Sequence, residues 1–399
     1  MPSPTVDRAA RYPLGAGIRL DALASDPYPA LAELRRQEPV SWVPETGMWF
    51  VTRRDDVLTV LRDPETFTTD TPESTIRDIF GAHMMTTEGA TQLRYKKKCM
   101  PPFQVRRLEE EALSGLEREV ARLVNGFDSG GEAELCRVLA RPIALHSVLS
   151  RLGLPLDQTA RVNEWYEHFA RALANFQGDP GLRAAGKAAA AQFRRALQPI
   201  LDDLSRSPDR SLLSDLVCDH ADPLTREEIE SNALIILFGG IETTESMIAN
   251  AIWALLAHPS EWGRIKDGRV RVDEAIEETL RWEPAVQSAT RHATRRVTLR
   301  GAVIEDGEAV QCMLGAANRD PAHFSDPDRF DIRRPDAGDH LAFAIGRHFC
   351  LGASLARLET RVAIEALVDR LPGLHLDPDR ETSPHGYEFR KPETLWVRW

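Results

Sequence analysis

The chain has 399 residues, 42% hydrophobic and 28% charged, with a formal net charge of -11. That apolar content is ample for a core, and the acidic balance disfavours nucleic acid as a partner. No apolar run reaches the about 18 residues of a spanning helix, the N-terminus lacks a signal-peptide core, and five scattered cysteines fit a reducing compartment, so a cytoplasmic protein without a membrane anchor is expected. Residues 1–17 read as a flexible arm and 18–399 as one domain, since no repeat or long linker divides them.

In chain order, Asp26-Pro27 opens a helix to Gln37 with Leu31 and Leu34 inward. Val40 to Val43 and Trp49 to Val51 read as strands joined at Glu45-Thr46-Gly47, and Asp55 to Leu61 as a short helix. Residues 65–90 show no period, and long irregular segments often carry function. Their apolar groups Ile76, Ile79, Phe80, Met84 and Met85 could line a pocket or simply anchor the loop. Thr91 to Met100 reads as a basic helix with Arg94, Lys96, Lys97 and Lys98. It is either a solvated face or, with Arg106, Arg107 and Arg347, a patch that steers an acidic partner. Glu109 to Pro223 is helix after helix, broken at glycine and proline.

Thr225-x-x-Glu228 is a capping box that starts a helix running to His258. At about 1.5 Å per residue it spans roughly 50 Å. Its middle reads Phe238-Gly239-Gly240-Ile241-Glu242-Thr243-Thr244-Glu245. Each mid-helix glycine costs about 1 kcal/mol against alanine. Close approach of another body, a local opening or a small-residue helix crossing would account for that cost. Ile235 and Phe238, on the preceding turns, face either a pocket or the core. Val272 to Trp282 is a helix carrying Glu278-x-x-Arg281, a spacing that by itself is usually a surface ion pair. Short strands follow at Ala289 to His292, Val297 to Leu299 and Ala309 to Met313. Cys350 then sits where a glycine-flanked loop feeds a helix, and a helix N-terminus favours a thiolate. A small buried hydrophobe is the bland reading, and a nucleophile would need a base that the sequence does not identify. No second cysteine or histidine pair lies at zinc spacing.

Phe343-x-x-Gly346-x-His348-x-Cys350-x-Gly352 closely resembles the heme-ligand loop of cytochromes P450, and Gly239-Gly240-Ile241-Glu242-Thr243-Thr244 resembles their distal-helix motif. The resemblance implies a mainly α fold with a small β-rich lobe. It implies heme b (iron protoporphyrin IX) with Cys350 as axial thiolate, Phe343 shielding the sulfur, Gly346 and Gly352 allowing close backbone approach, and His348 and Arg291 at the propionates. An ungapped match puts Gln92 and Lys96 where the family has its other propionate pair. Gly239 and Gly240 would border the oxygen pocket, Thr243 the bound oxygen and Glu242 the proton supply. Ile79, Phe80, Met84, Ile235, Phe238, Gln287 and Ala289 are the substrate-side candidates, with His385 and Tyr387 on a last turn formed by Ser383 to Arg390. Glu278 and Arg281 would form a buried brace with Arg329 as third member and Arg334 as runner-up. Ala344 departs from the family, which has glycine there.

The activity so implied is insertion of one oxygen atom from O2 into a small or medium organic substrate, by hydroxylation, epoxidation or O-dealkylation. Electrons would come from a ferredoxin, or a flavodoxin, and its reductase. A peroxide-driven enzyme and a non-catalytic heme-thiolate gas or ligand binder are the alternatives.

Overall fold

The computed structural model describes residues 8–127, 130–175 and 178–399. Its centre is the helix Arg226–Ala257, buried along most of its length. Few charges interrupt its apolar surface, so it is buried on nearly every side. The capping box forms as expected: Thr225 Oγ1 accepts from Glu228 N, and the Glu228 carboxylate accepts from Thr225 N at 2.7 Å. Helices Arg141–Leu152, Val272–Trp282 and Ala353–Arg370 pack against it.

The β-rich lobe holds a five-stranded sheet in the order Val40–Val43, Met48–Val51, Ala309–Met313, Ser288–Ala293, Phe67–Thr68. Only Met48–Val51 and Ala309–Met313 run parallel. Arg291 pairs with Val310 in this sheet. A three-stranded sheet sets Trp396–Arg398 between Glu132–Glu134 and His375–Leu376. Strand Glu132–Glu134 is hidden in the sequence because it is short, charged and formed by a remote partner.

Two segments differ from their sequence reading, and a third, the last turn over 383–390, forms as a short hairpin. Residues 1–7 of the expected arm lie outside the described residues, but Arg8–Arg11 and Pro13–Ala16 are helical and docked. Arg8 pairs with Glu308 at 2.6 Å, and the N–H groups of Leu14 and Gly15 donate to Glu38 at 3.0 and 3.1 Å. Turns this short are held by tertiary contacts, which leave no periodic signal. Within the irregular 65–90 stretch, Thr75–Phe80 is a helix capped by Ser74. At the last turn, strand Pro384–His385 folds back on Lys391–Pro392. Among the described residues no helix is long and apolar enough to cross a membrane.

Candidate functional site

The cysteine loop is shaped by its own backbone. Cys350 N donates to Phe343 O at 3.0 Å and Phe349 N to Gly346 O at 3.1 Å. Gly346 holds φ +72, and a Cβ there would stand 3.2 Å from the Leu61 carbonyl. Ala344 holds φ +53, a left-handed conformation that costs a residue with a Cβ about 1–2 kcal/mol. Ala344→Gly should therefore stabilise the protein by about 0.5–1 kcal/mol, the relief being partly offset by a more flexible unfolded chain. The midpoint of urea unfolding measures it.

Cys350 is the one exposed cysteine among the described residues. Surrounding protein desolvates its thiol and pushes the pKa up, while the N–H groups of Gly352 and Ala353 and the charges of Lys96 and Arg357 oppose that shift. The Arg357 guanidinium lies 4.6 Å over the Phe343 ring.

The two distal glycines have separate reasons. A Cβ at Gly240 would collide with Val148 Cγ2 at 2.8 Å, so that glycine serves helix packing. Gly239 is exposed inside an otherwise buried helix, and a Cβ there would meet nothing within 4 Å. Thr243 Oγ1 donates to the Gly239 carbonyl at 2.5 Å. Glu242 accepts from the Tyr166 hydroxyl at 2.8 Å and stands 3.5 Å from both Arg141 and Lys391. Those three partners come from separate elements, so no sequence spacing announces them.

Thr244 and Ser147 hydrogen-bond Glu359, which ties the long helix to the helix following Cys350. Burial pushes the Glu359 carboxyl from its ordinary 4.5 up to about 8. Its folded pKa exceeds its unfolded one, so the folded state binds more protons between those values. Stability contributed by the neutral acid is full below about pH 4.5 and declines as pH rises toward about 8. Glu359→Gln should remove that decline and gain on the order of 2 kcal/mol over the native protein at pH 8. Urea unfolding at pH 5 and pH 8 tests the sign.

Arg291 is buried, donates to the Thr290 carbonyl at 2.8 Å, and has no acidic partner among the described residues. It lines a cleft of about 330 Å³ with Leu61, Gly346, Arg347 and His348. The other expected propionate residues are engaged by protein groups. His348 Nε2 lies 2.9 Å from Glu88 Oε1, and Gln92 Nε2 and Lys96 Nζ donate to the Arg347 carbonyl at 3.0 and 2.6 Å. Gln92 Oε1 is left buried without a partner. A heme, flat and dianionic, fits this set: a reachable thiol, a bare glycine, and a buried arginine lacking a counter-ion beside an open cleft. Cys350, Gly239 and Arg291 could hold it, with Gly352 close by the sulfur (a Cβ there would lie 4.0 Å from Cys350 Sγ).

The substrate-side candidates divide. Phe80 and Phe238 are buried in one aromatic cluster with Phe169, Tyr166 and Phe389. Ile79, Met84 and Ile235 are buried core residues. Gln287 is buried and donates to Pro284 O, whereas Ala289 is half-buried. Tyr387 donates to Gln311 at 2.6 Å, and His385 stands 3.6 Å from Glu393.

The brace needs one correction. Glu278 and Arg281 are fully buried and doubly bonded at 2.7 and 2.8 Å. The third basic residue is Arg334, 7% exposed and 3.4 Å from Glu278. Arg329 is 63% exposed and turns to Asp331, contributing only its carbonyl to Arg281. The chain reverses at Asp326, with φ +45, and a turn decides which arginine points inward. The basic helix also differs from expectation. Arg94 and Lys98 pair with Asp222 and Asp219, Arg107 with Asp215, and Arg106 with Glu110. Lys97 and Arg347 have no acidic partner among the described residues, and exposed Leu93, Met100, Val105 and Phe349 accompany them.

A cytochrome P450 family model matches residues 271–386. Cytochrome P450 monooxygenase PikC of Streptomyces venezuelae is 37% identical over 372 residues, 89% of this chain and 86% of that protein. Mycinamicin IV hydroxylase/epoxidase of Micromonospora griseorubida is 34% identical over 383 residues, 92% of this chain and 94% of that one. The structure of P450BioI in complex with hexadec-9Z-enoic acid ligated acyl carrier protein superposes with a TM-score of 0.87 at 28% identity, covering 95% of this chain and 99% of that one. With identity of this extent across nearly the whole fold, the chain belongs to the cytochrome P450 family: it is a monooxygenase, and the family's cofactor is a heme iron.

Proposed function

We propose that this enzyme places one oxygen atom of O2 on a small or medium organic substrate by hydroxylation, epoxidation or O-dealkylation, with heme b bound through Cys350. The observation that carries the reading is the accessible Cys350 thiol on a glycine-shaped loop, joined to a helix that crosses the Gly239-to-Thr244 stretch at Glu359. The activity of the mycinamicin IV hydroxylase/epoxidase supports the first two reaction types. Residues 18–399 act as one unit, since the five-stranded sheet joins strands between Val40 and Met313 and the three-stranded sheet ties Glu132–Glu134 to Trp396–Arg398.

Heme iron supplies the redox centre at which O2 is activated. The protein's part is positioning and proton supply. Cys350 donates electron density as a thiolate ligand. Arg291 neutralises an acidic edge of the cofactor with its planar guanidinium. The Thr243 hydroxyl donates its proton to the Gly239 carbonyl, which fixes its oxygen as the acceptor at the inner end of a hydrogen-bond chain. Glu242, in contact with solvent and with Tyr166, feeds protons into that chain. Retention of this acid–hydroxyl pair favours the O2 route over peroxide, which needs less proton delivery.

Electrons come from a ferredoxin, or a flavodoxin, and its reductase, docking near Lys97 and Arg347. The internal ion pairs of Arg94, Lys98 and Arg107 leave that surface apolar at its centre, with little free charge.

Thr243→Ala tests the reading. Heme loading and the carbon monoxide spectrum should be unchanged, while product formed per electron consumed falls about tenfold or more. Unchanged coupling would remove Thr243 from proton delivery.

A further inference from the structure

Glu242 shares its cations with a second carboxylate. Glu245 follows at i+3 on the same helix and therefore lies beside it on the same side. Arg141 Nη1 is 2.8 Å from Glu245 Oε2 but 3.5 Å from Glu242 Oε2. Lys391 Nζ is 2.8 Å from Glu245 Oε1 but 3.5 Å from Glu242 Oε1. The Glu245 side chain is 6% exposed and that of Glu242 19%. Arg141 is fixed further by Asn163 Oδ1 at 2.6 Å and by the Tyr166 ring, 4.7 Å from its guanidinium. Among the described residues, the one short contact to Glu242 is the Tyr166 hydroxyl at 2.8 Å.

Charge attraction rises steeply as a pair closes in a site shielded from water. With both cations drawn to the more buried carboxylate, Glu242 is held by one neutral hydrogen bond and two long ion pairs. Without Glu245, Arg141 and Lys391 would close on Glu242 and lock it between two positive charges. A carboxylate locked in that way cannot readily reorient or take up a proton.

We propose that Glu245 is a positioning residue that draws Arg141 and Lys391 away from Glu242 and so leaves the relay carboxylate free to reorient. The proposal rests on the reading of Glu242 as proton relay. In each transfer Glu242 gives one proton toward the Thr243 hydroxyl and recovers one from solvent, so only O–H bonds are made and broken.

The test uses the heme-loaded, substrate-bound enzyme. Glu245→Gln keeps shape and removes charge. It should slow turnover about fiftyfold, the size expected when two contacts of 3.5 Å tighten to about 2.8 Å at an effective dielectric near 20. Heme loading should be unchanged, and a crystal structure of the variant should place Lys391 Nζ within about 3 Å of Glu242. Adding Lys391→Met to that variant should recover about sevenfold of the loss, leaving turnover within about tenfold of native because Arg141 remains. A purely structural role for Glu245 requires the opposite, a double variant slower than the single. The proposal is overturned if the double variant is no faster, or if the Lys391–Glu242 separation does not shorten. Lys391→Met in the native background, which does not depend on the Glu245 variant folding, should be no slower than native, and a tenfold loss there also overturns the proposal. Glu242→Gln is measured alongside. Native turnover in that variant would remove the relay reading itself, independently of the outcome at Glu245.

Discussion

Arg281→Met should destabilise the protein by about 3–5 kcal/mol, the largest stability effect expected of any single substitution in this site. Glu278 would keep its charge at zero solvent exposure with its two-pronged partner gone. The carbonyls of Asn318, Pro327 and Arg329, which now accept from Arg281, would lose their donor too. Arg334→Ala should cost less, about 1–2 kcal/mol, because its contact with Glu278 is longer and its other bonds go to carbonyls near the surface. Arg329→Ala should fall within about 0.5 kcal/mol of native, as for most exposed positions. Urea midpoints for the three variants give the ranking. A larger loss at Arg329 than at Arg334 would reverse the assignment of the third member.

Cys350→Ala should abolish monooxygenase turnover, by about a thousandfold or more, since no other sulfur can replace the ligand. Cys99, Cys136 and Cys312 are buried and Cys218 is only partly open. Burial pushes the thiols of Cys99 and Cys312 up to about 12, which keeps them protonated. The fold should survive, because the hydrogen bond from Cys350 to Phe343 belongs to the backbone. The checks are the carbon monoxide difference spectrum, expected to lose its thiolate signature, and circular dichroism, expected to be unchanged. Cys312→Ala is the control and should keep the signature.

The parts of the molecule written in local patterns were legible in the sequence. The capping box at Thr225, the glycine pair in the long helix and the cysteine loop each lie within a few consecutive residues. What escaped depends on groups that meet only after folding. Arg329 and Arg334 both follow the turn at Asp326, and residue type alone does not say which side chain faces Glu278. Four basic residues near Lys97 look like a charged patch until Asp215, Asp219, Asp222 and Glu110 close on them. Tyr166, Arg141 and Lys391 converge on Glu242 from three elements, with no spacing to mark them. The Ala344 departure was visible, but its consequence rests on a backbone angle, φ +53, that sequence does not give.

The sheet that clasps Trp396–Arg398 between Glu132–Glu134 and His375–Leu376 bears on how the chain is made. A polypeptide leaves the ribosome from its N-terminal end, so Glu132–Glu134 must wait for a partner synthesised long after it. Pairing across such a sequence separation is slow compared with helix formation. Until it closes, Leu135, Leu395 and Val397, all fully buried in the finished protein, remain in water. Completion of the helical body therefore waits for synthesis of Trp396–Arg398, and a product stalled before that strand carries a sticky, unsealed seam that chaperones and proteases can recognise.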